Sequence, residues 1–289
     1  MSIETNRTTL AELRESVTDL PTIPESLSNI LKLLEDPNSG ARDLADVIRG
    51  DAPLATKILR LANSPLYQKN RTIKTIHECV AVLGYRTVRQ VALCVAVVSS
   101  LGSECEKRGS TVNYRDLWRH CVAVGAVAQS LARQVGHPEP ESVFTCGLLH
   151  DLGKFVLALR FPRQYSEIVA DRCRRGCLLV DLESEVLSYD HAQAGATLAD
   201  HWHFPPQLVA AIGQHHDKEI TNRDVGLVAL ADYLANLLDP SASDLGFDAM
   251  LLTPAELYTA AGLEREDVEA RLDELRDAIN AASPLRNIE

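Results

Sequence analysis

The stretch GLLHDLGKF, residues 147–155, sets His150 beside Asp151 in a run of Leu, Gly and Phe, with Lys154 three residues on. Imidazole and carboxylate are the side chains that hold a divalent cation such as zinc, iron or manganese, and such a site is normally gathered from several helices. The dipeptide alone decides little, because a second His-Asp pair stands at His216–Asp217. The spread of the other histidines decides more. Eight of the nine fall between 120 and 216.

In chain order the candidates begin with YRDLWRHCVAVGAVAQSLARQVG (114–136), where Asp116 and His120 are four apart and would share one helix face. VFTCGLLHDLGKFVLALRF (143–161) reads as a largely apolar helix carrying His150, Asp151 and Lys154. Burying those three unpaired is costly, and a metal would satisfy the first two. His191 begins the next helix, and Ala194, Gly195 and Leu198 allow close packing behind it. His201 and His203 read as residues of that helix's end, outside any site. His215 and His216 end an apolar helix in tandem; adjacent residues point about 100° apart, so both could bind only where a site wraps the helix end. Asp232 is the one acidic residue in the middle of VGLVALADYLANLL (225–238), where a lone carboxylate wants a partner. Five helices thus each offer an imidazole or carboxylate. The joint pattern favours a metal site over a polar core satisfied internally.

The elements that must carry these residues are helical almost throughout. Apolar positions recur at three- and four-residue spacing in ESLSNILKLLED (25–36), ARDLADVIRGD (41–51) and APLATKILRLANS (52–64). TIHECVAVLG (75–84) and YRTVRQVALCVAVVSSLG (85–102) follow, and no alternating strand pair with a hairpin turn stands out. The polar SECEKRGSTVN (103–113) reads as a link between two helical lobes. DPSASDLGFD (239–248) reads as a loop. TPAELYTAAG (253–262) opens on a capping pattern of Thr253, Pro254 and Glu256, and EDVEARLDELRDAINAA (266–282) reads as one amphipathic helix.

Composition bounds the function classes. A net charge of −11 disfavours broad electrostatic binding to nucleic acid or an anionic membrane. The basic stretch at 71–90 reads as a solvated helix face. No run of about 18 uncharged apolar residues appears, and the polar N-terminus lacks the form of a signal peptide, so a cytoplasmic protein is expected. Seven cysteines without a secretion signal are expected as reduced thiols. Cys173 and Cys177 would share a helix face but make a weak zinc signal on their own.

The order of ligand-type residues resembles the HD superfamily of metal-dependent phosphohydrolases, most closely its HD-GYP branch. The resemblance rests on His120, LLHDLGK, DHAQAG, QHH and ALAD. It implies that His120, His150, Asp151, His191, His215, His216 and Asp232 hold one to three divalent metals, iron or manganese favoured, with Asp151 bridging, to activate water against a phosphodiester. It further implies that Asp116 fits the extra acidic ligand of trinuclear members and that Lys154 contacts substrate phosphate. The chain departs from the branch after His216: HHDKEITNRDVG lacks the loop ending in Gly-Tyr-Pro. LPTIPESLSNILKLLED, DLADVIRGDAPLATKILRLANSPLY and TIHECVAVLGYRTVRQVAL resemble the HDOD family, and with the second lobe the likeness covers about residues 15–235. Members of that family generally act as non-catalytic modules of bacterial signalling and lack much of the ligand set, which this chain keeps.

The resulting expectation is an all-α, two-lobed helical bundle. An N-terminal extension (1–14) precedes an HDOD lobe (15–110), an HD-like lobe with the metal site (114–238) and a C-terminal helical extension (239–289). The expected function is a regulatory module with a retained metal site, binding a signalling protein, a nucleotide-type ligand or a second copy of the chain. The alternatives are a metal-dependent phosphodiesterase or phosphatase using Asp151 and Lys154 on a cyclic or linear nucleotide, and a metal-free scaffold.

Overall fold

The structure, a computed structural model, describes residues 25–36, 38–63, 72–239 and 252–283. The N-terminal extension (1–14), and the loop expected at 239–248 beyond its first residue, lie outside the described residues. Those residues form helices and connecting turns, with no strand among them.

Helix starts follow from local chemistry. Asp51 accepts from the Leu54 backbone N–H at 3.0 Å, with Pro53 in the first turn, and so separates α2 (Ala41–Gly50) from α3 (Ala52–Ala62). Thr75 caps α4 (Ile76–Leu83) through Glu78. These helices and α1 (Glu25–Glu35) pack around the long α5 (Tyr85–Lys107). That helix runs past the start of the polar stretch expected as a link from 103. The next helix, α6 (Tyr114–Gln134), begins at Asn113, whose side chain caps the Asp116 N–H.

The remainder builds the site. The segment expected as one helix over 143–161 is two, α7 (Pro140–Leu149) and α8 (Leu152–Arg160). The break falls at His150 and Asp151, where Asp151 leaves helical geometry with φ −91° and ψ 17°. Next come α9 (Pro162–Arg175), α10 (Leu179–Leu187), α11 (His191–His201), α12 (Pro206–Gln214) and α13 (Arg223–Leu238). Gly176 ends α9 in the left-handed region at φ 62°, so Cys177 lies beyond the helix. At the C-terminal end the capping pattern is present: Thr253 and Glu256 form a capping box on α14 (Pro254–Ala261). The helix expected over 266–282 is interrupted, as α15 (Arg265–Glu269) and α16 (Leu272–Ala281). α16 buries Leu275 and Ile279 and packs on α6.

Buried side chains from Leu27 to Ala282 form one contiguous apolar cluster. The helices of the expected first lobe join it through α5, which packs on α7 and α8. Two stretches, Tyr85–Cys105 and Pro140–Arg160, are long and apolar enough by composition to cross a membrane, and 94% of the second is buried inside the protein. Its apolarity therefore serves the core. Within that core α6 and α7 meet backbone to backbone at Gly125 and Gly147. A Cβ on Gly147 would stand 2.9 Å from the Gly125 Cα, so only glycine lets these helices approach closely enough to bring His120 near His150.

Candidate metal centre

Five segments deliver the ligand-type side chains to one buried point. α6 carries His120, the α7–α8 break carries His150 and Asp151, α11 opens on His191, α12 ends at His215 and His216, and α13 carries Asp232. All seven are 5% exposed or less. The break in the helix lets two consecutive residues, His150 and Asp151, both face inward. α8 then packs against the start of α11 at Gly153, where a Cβ would lie 1.7 Å from the His191 carbonyl oxygen. Gly153 is therefore a contact point between helices, and this contact seats His191 opposite Asp151. Asp190 fixes the start of α11 through a capping box with Gln193.

Asp151 is the hub. Its Oδ2 lies 3.4 Å from His150 Nε2 and 3.7 Å from His120 Nε2, while its Oδ1 lies 3.3 Å from His191 Nε2 and 3.8 Å from His215 Nε2. Around this carboxylate stand two triads whose ligand atoms lie mutually within 4.8 Å: His120, His150 and Asp232 on one side, and His191, His215 and His216 on the other. His120 Nε2 sits 3.0 Å from Asp232 Oδ1, and His216 Nε2 sits 3.2 Å from His191 Nε2. The tandem histidines both turn inward because they lie at and just past the end of α12.

The outer atoms of these rings are pinned. His150 Nδ1 lies 2.7 Å from the Gly147 carbonyl, and His215 Nδ1 lies 2.9 Å from the Ile212 carbonyl. A carbonyl only accepts, so each Nδ1 carries the proton and each Nε2 presents a lone pair to the centre. His191 Nδ1 is 2.8 Å from Glu183 Oε2, which also accepts from the His191 backbone N–H. Asn236 donates to Asp232 Oδ1 at 3.0 Å. Backing of this kind orients metal-binding imidazoles and raises their basicity.

Electrostatics favours a cation here. Burial pushes the His150, His215 and His216 imidazoles below their ordinary 6.5, and for His215 and His216 neighbouring imidazoles push further the same way. These rings are neutral and hold their lone pairs at neutral pH. Burial also works against charge on His191, but the Glu183 carboxylate outweighs it and holds that imidazole well above 6.5. Burial opposes ionisation of Asp151, and His150, Lys154 and His191 together overcome it and hold the carboxyl well below 3.8.

Whether this donor set suits a metal can be tested on the polar atoms themselves. The Nε2 atoms of His150 and His215 are buried without a hydrogen-bond partner among the described residues, and each Nδ1 already donates to a carbonyl. Each such orphan costs about 1–3 kcal/mol. The lone pairs of His150 and His215, set among further imidazoles and the carboxylates of Asp151 and Asp232, fit divalent cations bound by nitrogen and oxygen.

Not every expected residue joins the group. Asp116 shares a helix with His120, but its carboxylate accepts from Asn113 at 2.5 Å and Arg119 at 3.1 Å and belongs to neither triad. Lys154 is buried with its Nζ 2.9 Å from Asp151 Oδ2. His201 and His203 are exposed at the end of α11, as their sequence context suggests. Glu183, Asn236 and Cys121 were not anticipated. Cys121 comes within ligand range of His150 and Asp151, and burial holds its thiol well above 9.0, in the protonated form.

An all-helical fold with an HD-type arrangement of histidines and aspartates around a central carboxylate defines the class. Within it, the HDOD domain profile matches residues 20–218, and the chain belongs to the HDOD domain family. The chain is 26% identical over 245 residues to an uncharacterized protein of Treponema pallidum (strain Nichols), covering 83% of this chain and 47% of that one, so it spans about half the length of this curated relative. In fold it is similar to an HDOD domain protein of unknown function from Geobacter sulfurreducens, with TM-score 0.74 and 24% identity over 94% of this chain and 97% of the other. It is similar also to a protein of Shewanella amazonensis SB2B named as a candidate phosphohydrolase, with TM-score 0.73 and 23% identity over 94% and 97% of the two chains.

Proposed function

We propose that this chain is a regulatory HDOD module of bacterial signalling whose HD-type centre holds two divalent cations, iron or manganese, in a buried and chiefly organising role. The observation that carries this reading is the complete inward-facing ligand set around Asp151 combined with its burial, none of the seven ligands being more than 5% exposed. His120, His150 and Asp232 would hold one ion and His191, His215 and His216 the other, with one oxygen of Asp151 toward each. A cation bound there supplies Lewis acidity toward a phosphate oxygen. The protein's own residues supply position: the Gly147 and Ile212 carbonyls set two tautomers, Glu183 aims His191, and Asn236 holds Asp232. Lys154 spends its charge on Asp151 at 2.9 Å, inside the protein, which leaves it poorly placed to meet a phosphodiester from solvent. Signalling partners and a cytoplasmic setting belong to the same reading.

A second reading, a metal-dependent phosphodiesterase or phosphatase, is favoured by the central carboxylate presenting one oxygen to each triad. Turnover of a generic phosphodiester and of cyclic dinucleotides by iron- or manganese-loaded protein separates the two. A rate no higher than that of Asp151→Ala supports the regulatory module. A metal-dependent rate well above it supports the enzyme and overturns the module.

A further inference from the structure

We propose, on the reading that the centre holds two cations, that Cys121 is a further ligand of the ion on the Asp232 side and that its thiolate makes this side select iron(II) or another thiophilic cation over manganese. Cys121 follows His120 on α6 and is 2% exposed. Its Sγ, a ring nitrogen of His150 and a carboxylate oxygen of Asp151 lie mutually within 4.8 Å. The helix contact explains this approach. Cys121 stands one turn before Gly125 on α6, on the face where Gly125 and Gly147 let α7 come close, and His150 lies three residues beyond Gly147. His150 also belongs to the triad with His120 and Asp232, so the thiol addresses that ion rather than the one among His191, His215 and His216. Cys79, Cys94, Cys105 and Cys146 are buried as well, yet none of them joins a group of ligand-type residues among those described.

Two further features point to a cation beside the thiol. The first is His150 Nε2, buried without a hydrogen-bond partner among the described residues while Nδ1 donates to the Gly147 carbonyl, so the imidazole grouped with Cys121 holds a lone pair for a metal. The second is charge. Besides the imidazoles, the buried ionisable side chains are Asp151, Asp232, Glu183 and Lys154. Two divalent cations bring four positive charges, the three carboxylates offset three, and the ammonium adds one back. The loaded centre is thus left with an excess of two positive charges in the protein interior, where uncompensated charge is costly. A Cys121 thiolate halves that excess. In ligation the S–H bond gives way to an S–metal bond and the proton passes to solvent. Thiolate is also the one soft donor of the set, and soft donors favour iron, cobalt and zinc over manganese, which suits oxygen ligands.

The test loads the metal-stripped full chain with cobalt(II), whose thiolate complexes show an intense sulfur-to-metal charge-transfer band in the near ultraviolet. The parent chain is expected to show the band, and Cys121→Ala to lose it while still binding cobalt. Cys94→Ala and Cys146→Ala should keep it. The preference for cobalt over manganese, read by competition calorimetry, should fall by at least about tenfold in Cys121→Ala, because losing a direct ligand costs no less than losing the outer partner of one. If Cys121→Ala fails to fold by circular dichroism, Cys121→Ser, close to cysteine in volume, takes its place. Cobalt bound to the parent without the band, or a band and a preference unchanged in the folded variant, would overturn the role of Cys121 and leave the two triads standing. No cobalt bound at all would overturn the metal centre and the proposal with it.

Discussion

Glu183 and His191 form a buried carboxylate–imidazole pair, 2.8 Å from Oε2 to Nδ1, in which the same oxygen also accepts the His191 backbone N–H. Its other oxygen accepts from the Tyr165 hydroxyl at 2.8 Å. The pair ties the side chain that starts α11 to α10 and aims Nε2 at Asp151. Glu183→Gln keeps the shape but removes the charge. Metal affinity is expected to fall by about 10–100-fold, as for outer partners of metal-bound imidazoles generally, while the helical content is retained. Titration of the stripped protein with manganese, followed by calorimetry, checks it; unchanged affinity would reduce Glu183 to a packing residue.

The pH dependence of stability follows from opposite shifts. His150, His215 and His216 are depressed below 6.5 in the fold, so below that pH the unfolded chain takes up protons that the native chain refuses, and stability falls as pH falls. His191 is raised, so its contribution is fully present below 6.5 and is lost as pH rises through its native value. Metal-free protein should therefore be most stable near pH 6.5–7, declining on both sides. Bound metal takes the place of the proton on His191, so loaded protein should lose the alkaline decline. Thermal melts from pH 5 to 9, with and without chelator, read this directly, and identical profiles would contradict it.

Lys154 and Asp151 give a third expectation. Removing one member of a buried pair strands the other charge, at a cost of about 3–5 kcal/mol. Lys154→Met should destabilise chelated protein by that order and metal-loaded protein much less, because a cation at Asp151 also compensates the carboxylate. Urea denaturation in both states checks the difference.

A fourth concerns the helix contact. Gly153→Ala places a methyl into the His191 backbone and should cost at least about 3 kcal/mol or prevent folding, whereas Gly102→Ala, facing open space, should be neutral or slightly stabilising. Equal effects in the two melts would contradict the close approach of α8 and α11.

Much of this was legible in the sequence because a buried polar residue in an apolar helix announces itself. Asp232 within VGLVALADYLANLL and His150–Asp151 within GLLHDLGKF both stand out in this way, and both lie in the centre. Glu183 did not stand out, because LVDLESEVL surrounds it with the exposed acids Asp181 and Glu185. Its signal was positional: it falls on the stripe of Leu179, Leu182 and Val186 that the helix buries. Asp116 shows the converse. A spacing of four from His120 sets a face but not a depth, and at a helix start Asn113 and Arg119 take the carboxylate. The break at His150 was hidden because no proline or cluster of turn residues marks it and apolar residues continue on both sides. Only the tertiary need to turn two consecutive side chains inward reveals it.

The central claim is that two triads sharing Asp151 hold metal. Elemental analysis of protein purified without added metal, then after exposure to iron or manganese, tests it most directly. Close to two ions per chain are expected after loading, falling steeply in His150→Ala and Asp151→Ala. Less than about 0.2 ion per chain before and after loading would contradict it.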